Sequence, residues 1–136
     1  MIHYFQTLIH FIHSEKETLK LSAGQRLYTQ GDCGLCMYLI KKGYVRISID
    51  GAILELGREG SVLGEESLLE RLPRLANVTA VTDCVIIPID HGRMNILTKI
   101  WPDLIRKLEE SMINRRNVLE IRLGRQADMP HSRGHC

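Results

Sequence analysis

Cysteine is scarce in this chain. Cys33, Cys36, Cys84 and Cys136 are spread over 136 positions. That is too few for the dense disulfide framework of a small secreted scaffold, and it fits a cytoplasmic protein with reduced thiols. Long apolar runs are absent, and none approaches the length of a membrane span. The start, Met1-Ile2-His3-Tyr4-Phe5, has no basic region ahead of an apolar stretch, so no signal peptide is expected. No large excess of either charge sign is present. Lys plus Arg is 18 and Asp plus Glu is 16, a net +2. This is too near neutral to point to nucleic acid or an anionic membrane. The histidines, His3, His10, His13, His91, His131 and His135, all avoid the strand-rich middle of the chain. That removes the strand-borne histidine cluster of a β-roll metalloenzyme. No Ser-His-Asp set and no paired carboxylates stand out, so no enzymatic activity is expected.

What is present is 44% hydrophobic composition, enough for one cored domain. We place that domain at 1–124, with a flexible tail at 125–136. Tyr4, Phe5, Leu8, Ile9, Phe11 and Ile12 recur at helical spacing. From Thr18 to Asp90 short apolar or alternating runs are cut by glycine-containing turns, the pattern of a β-sandwich or barrel. The runs are Leu19–Leu21, Arg26–Tyr28, Met37–Lys41, Tyr44–Ile49, Ala52–Leu56, Ala76–Val81 and Val85–Ile89. Asp50-Gly51 marks a hairpin. Helical spacing returns at Met94, Ile96, Leu97 and Ile100, breaks at Trp101-Pro102-Asp103, and resumes from Leu104 to Leu123 before Gly124. The expected fold is mainly β: an eight-stranded jelly-roll β-roll with an N-terminal helix, a short inserted helix and C-terminal helices.

The richest chemistry lies in Val62-Leu63-Gly64-Glu65-Glu66-Ser67-Leu68-Leu69 and in Pro73-Arg74-Leu75-Ala76-Asn77-Val78. An acid opens a short helix, and an arginine follows nine positions later across a turn. Backbone N–H groups at a helix start suit a phosphate. Arg74 adds a fork of charged donors for phosphate oxygens. The Glu65 carboxylate accepts only, which suits a sugar hydroxyl. Gly64 lets the backbone come close to a ligand.

This pattern resembles the phosphate-binding cassette of the cyclic nucleotide-binding domain family, which includes the catabolite activator protein and the regulatory subunits of cAMP-dependent protein kinase. Gly64-Glu65, Ser67, Leu68-Leu69, Arg74 and Ala76 match its motif. Ala23-Gly24-Gln25, Gln30-Gly31-Asp32, Met37 to Ile47 and Leu56 to Gly60 fall in the family's order. The resemblance covers about residues 14 to 118. It implies a sensor whose ligand is a cyclic nucleotide, with binding coupled to movement of the C-terminal helix at 104–123. It also implies base and sugar contacts from Val45, Leu54, Val62 and Leu63, beside Gly64, Glu65, Glu66, Ser67, Arg74, Leu75 and Ala76. Leu75 stands where cGMP-selective members often carry a hydroxyl, so cAMP is expected, with cGMP the alternative. The second acid, Glu66, is expected to face solvent.

Other readings of the residues compete with this one. Cys33-Gly34-Leu35-Cys36 has the spacing of half a zinc site or a redox pair, and His131 with His135 would supply two more ligands. Core packing is the plain alternative for Val45, Leu54, Val62 and Leu63. Arg115, Arg116, Arg122, Arg125 and Arg133 make the C-terminal end basic. Too little chain follows Leu123 for a helix-turn-helix, so no DNA binding by this chain alone is expected. Partners left open are a second copy through the C-terminal helix and an effector protein. The alternatives to a nucleotide sensor are a β-roll interaction module with an empty pocket and a ligand-binding fragment of a larger receptor such as a channel.

Overall fold

The computed structural model describes residues 17–103 together with 106, 107 and 110. The expected helix at 3–13, most of the one at 104–123, and the tail with His131 and His135 lie outside the described residues. The described residues form eight strands: β1 (Leu19–Leu21), β2 (Arg26–Tyr28), β3 (Met37–Lys42), β4 (Val45–Ile49), β5 (Ala52–Gly57), β6 (Val62–Leu63), β7 (Asn77–Ala80) and β8 (Cys84–Ile89). Helix α1 (Glu65–Glu70) separates β6 from β7, and helix α2 (His91–Ile100) follows β8. The strands form two four-stranded antiparallel sheets, ordered β1-β8-β3-β6 and β2-β7-β4-β5. This is the expected β-roll, with the two-residue β6 added to the strands read from the sequence.

The two sheets meet different environments. The first is covered on both faces. Ile40, Leu63 and Ile86 point into the cluster between the sheets. Their chain neighbours Leu39, Val62 and Ile87 point the other way, into a cluster with Leu68 of α1 and Met94 and Leu97 of α2. Consecutive apolar residues are therefore required in β3, β6 and β8. The second sheet has one inward face. Val45, Ile47, Val78 and Ala80 are buried against the first sheet. Arg46 and Thr79 alternate with them and point outward.

Local signals set the connections. Asp50 and Gly51 both adopt positive φ, 51° and 82°, the conformation of a two-residue hairpin turn. Asp90 caps α2 by accepting from the Arg93 amide at 2.9 Å. The helix read from the spacing of Met94, Ile96, Leu97 and Ile100 is present; Met94 and Leu97 are buried, whereas Ile96 and Ile100 are about half exposed at 57% and 49%. Leu68 is completely buried and ties α1 to the first sheet. Truncation of such a side chain to alanine typically costs about 2–5 kcal/mol.

Candidate functional site

The turn from β6 into α1 and the strand entry at Ala76 face one cleft. Its wall is Tyr28, Ile47, Leu54, Glu55, Leu63, Gly64, Glu66, Ser67, Arg74, Leu75 and Ala76, enclosing about 440 Å³ of space, its open mouth included. Gly64 carries φ 75°, a left-handed conformation that favours glycine. A Cβ there would also overlap the Arg74 guanidinium. Ser67 is 2% exposed, and its hydroxyl has no hydrogen-bond partner among the described residues. A buried hydroxyl in that state is costly unless a ligand supplies the partner.

Arg74 is the electrostatic centre of the cleft. It is only 4% exposed. Its backbone is clamped to the loop after β2: the Arg74 amide donates to Asp32 O, and the Gly31 amide donates to Arg74 O, both at 2.8 Å. Its Nη1 donates to Gly64 O at 3.1 Å. The guanidinium carbon lies 4.4 Å from the Tyr28 ring centre and 5.4 Å from that of Tyr38, the arrangement of a cation over aromatic faces. Burial pushes the Tyr38 hydroxyl above its ordinary pKa, while the charge and hydrogen bonding of Arg74 act in the opposite direction. Burial likewise raises the Cys36 thiol, as does the Asp90 carboxylate, against the opposing pull of Arg74.

The Cys33–Cys36 loop has a place in this site that its spacing does not reveal. Gly34 lies so close to Arg74 that any Cβ would overlap the guanidinium. Cys33 is disulfide-bonded, and Cys36 is free. The pair is therefore not a disulfide with itself, and the expectation that all thiols are reduced is corrected. Cys84 is a buried thiol at the start of β8, as its position suggested, and donates to Tyr44 O and Thr82 O.

Of the residues expected at the site, Leu54, Leu63, Gly64, Glu66, Ser67, Arg74, Leu75 and Ala76 line the cleft. Three do not. Val62 turns to the helix-covered side of its sheet, opposite to Leu63. Val45 packs against Gly57 in the inter-sheet core. Glu65 is fully enclosed and is not part of the wall. Glu66 does not face solvent as expected: it is 5% exposed and lines the cleft. Tyr28, Ile47 and Glu55 line it without having been expected. Ile47 was visible only as one of several inward residues of β4. Glu55 reaches the cleft beside a register shift: Ile47 opposes Glu55 and Ser48 opposes Ile53, leaving Leu54 between. Among the described residues no helix is long and apolar enough to cross a membrane.

This geometry can be set beside known proteins. The cyclic nucleotide-binding domain model matches residues 18–99. A cGMP-dependent protein kinase of Toxoplasma gondii is 30% identical over 104 residues, 76% of this chain and 10% of the kinase. A cAMP-dependent protein kinase regulatory subunit of Eremothecium gossypii is 37% identical over 80 residues, 59% of this chain and 17% of that protein. This chain thus spans about a tenth to a sixth of the length of these two relatives. Among solved structures, the regulatory domain of Toxoplasma gondii PKA with cAMP aligns over 59% of this chain and 32% of its own, at 31% identity and a TM-score of 0.54. The catabolite activator protein of Thermus thermophilus aligns over 85% of this chain and 57% of its own, at 25% identity and a TM-score of 0.71. With the family matched over more than half its length, the chain belongs to the cyclic nucleotide-binding domain family.

Proposed function

We propose that this chain is a sensor module that binds a cyclic nucleotide in the cleft at Arg74, prefers cAMP to cGMP, and acts by binding and not by catalysis. The observation that carries the reading is a buried arginine sharing a cleft wall with a buried hydroxyl, Ser67 Oγ, that lacks a partner among the described residues. A cyclic phosphate answers both. It takes charged donors from Arg74, the Ser67 hydroxyl, and amides at the start of α1 that have no partner within the helix. The apolar wall of Ile47, Leu54, Leu63 and Ala76 suits a purine and its sugar. Glu65 or Glu66 accepts from the ribose hydroxyl. Leu75, in the same wall, offers guanine no hydroxyl, which supports adenine. The names of the relatives include both cAMP and cGMP proteins and so do not favour either base.

Calorimetry of the purified chain with cAMP and with cGMP tests this reading. We expect saturable binding with cAMP the tighter ligand. Equal or tighter cGMP binding removes the preference, and no binding of either nucleotide favours the empty-pocket interaction module. The proposed coupling to the stretch 104–123 rests on the sequence. Only Arg106, Lys107 and Glu110 are described there, all helical, with Arg106 3.4 Å from Glu110. If that helix reports the ligand, cAMP slows hydrogen exchange at 62–76 and also at 108–123. Protection confined to 62–76 would break the coupling.

A further inference from the structure

The outer face of the second sheet carries a cluster that nucleotide binding does not use. Thr79 of β7 pairs in register with Arg26 of β2 on one side and with Arg46 of β4 on the other. Arg46 in turn pairs with Leu56 of β5. Register partners share a face, so these four form one row across the sheet. Their neighbours Val45, Ile47, Val78 and Ala80 fill the core, so the row faces outward. Adjacent strands are about 4.8 Å apart, which puts the two arginine backbones about 10 Å apart with Thr79 midway. Both guanidinium forks can therefore converge above it.

Thr79 stands out in this row. It is 6% exposed on an outward face, and its hydroxyl has no hydrogen-bond partner among the described residues. Neither arginine is in an ion pair among the described residues. The surrounding outward positions are Tyr44, Ser48, Ile53, Asn77 and Val81, none of them acidic. Four of them are large, exposed apolar side chains once Leu56 is included: Tyr44 at 51%, Ile53 at 60%, Leu56 at 63% and Val81 at 44%. Unpaired arginines, an unsatisfied donor and bare apolar area make a surface complementary to an anion attached to something apolar.

We propose that this face docks an acidic segment of a partner protein. One carboxylate or phosphate-monoester oxyanion of the segment accepts from Arg26, Arg46 and the Thr79 hydroxyl, and its apolar side chains cover Ile53 and Leu56. Arginine forks match such oxyanions two bonds at a time. The site lies on the opposite side of the second sheet from the cleft, so it is independent of the nucleotide reading.

The test uses the full chain and a fluorescein-labelled octapeptide of alternating glutamate and leucine, read by anisotropy, with the glutamine version as control. We expect the glutamate peptide to bind at least about tenfold more tightly than the control, and Arg26→Ala or Arg46→Ala to weaken it by about tenfold. Thr79→Val keeps the β-branched shape, removes the hydroxyl and weakens the peptide about threefold to tenfold. It should not lower the melting temperature, since it deletes an unsatisfied donor, and cAMP affinity stays as in the wild type. Arg74→Ala leaves peptide affinity unchanged. The proposal fails if the glutamate peptide does not bind, if binding survives all three outer-face variants, or if Arg74→Ala abolishes it. It also fails if phosphatidylserine vesicles bind in an Arg46-dependent way while the peptide does not, because the face would then be directed at a membrane.

Discussion

Arg74 and the pair Arg26 and Arg46 show how differently one residue type behaves inside and outside a β-roll. Arg74 is almost wholly buried, its backbone is clamped on both sides, and its fork is aimed by two tyrosine rings and a carbonyl. Arg26 is exposed and Arg46 half-buried, both on strands whose outer face meets water. A charge already desolvated and oriented loses little when a ligand arrives, so its contact counts heavily. An exposed arginine must give up hydration and side-chain freedom, so a single contact counts little and affinity needs several groups together.

The largest expected effect tests the buried half of that contrast. Arg74→Ala should weaken cyclic nucleotide binding by about 2–4 kcal/mol, roughly thirtyfold to a thousandfold by calorimetry, whereas Arg46→Ala should leave it unchanged. Similar losses in both variants would break the comparison. Glu65→Gln comes next, at about tenfold, because the amide oxygen still accepts from the ribose. With 2′-deoxy-cAMP that difference should vanish. If it vanishes in Glu66→Gln instead, the ribose contact belongs to the carboxylate that lines the cleft. Leu75→Thr should raise affinity for cGMP relative to cAMP by about fivefold to tenfold through one added hydrogen bond. An unchanged ratio would separate Leu75 from base choice.

The smallest effect concerns pH. The Tyr38 hydroxyl has a raised pKa in the folded protein, chiefly from burial. Its neutral form is therefore favoured on folding. The stability this represents is complete below the ordinary tyrosine value of about 10 and is lost as pH rises through the higher folded value. Because Arg74 opposes the shift, Arg74→Ala should move the phenolate titration, followed by ultraviolet absorbance, further upward. A downward movement would show that Arg74 does not act on that ring.

Much of the fold could be read directly. Asp50-Gly51 specified its turn because two successive positive φ angles suit that pair. The alternation Val45-Arg46-Ile47 showed a strand with one face in water. The runs Leu39-Ile40 and Ile86-Ile87 signalled strands but not why alternation fails there. The reason is that helices cover the second face of their sheet. Ile96 and Ile100 show a related limit: their spacing identified the helix but not how wide a stripe of it the neighbouring sheet covers.

At the candidate site, Gly64 and Arg74 were legible because their residue types fit phosphate chemistry at short range in sequence, and Ser67 only through the family resemblance. Tyr28, Gly34 and Glu55 were not. They reach the site from a loop and strands distant along the chain, and nothing local in their sequence records that approach. The sequence by itself indicated the main turns, most of the strands in their succession along the chain, and residue types suited to an anion, since these follow from backbone preference and side-chain chemistry. Only the tertiary structure decided that Val62 turns from the cleft while Leu63 enters it, and that Glu66 is enclosed. It alone set Gly34 against Arg74 and left Thr79 between two arginines. Those outcomes depend on register and on sheet packing, where shifting a strand by one residue exchanges its two faces.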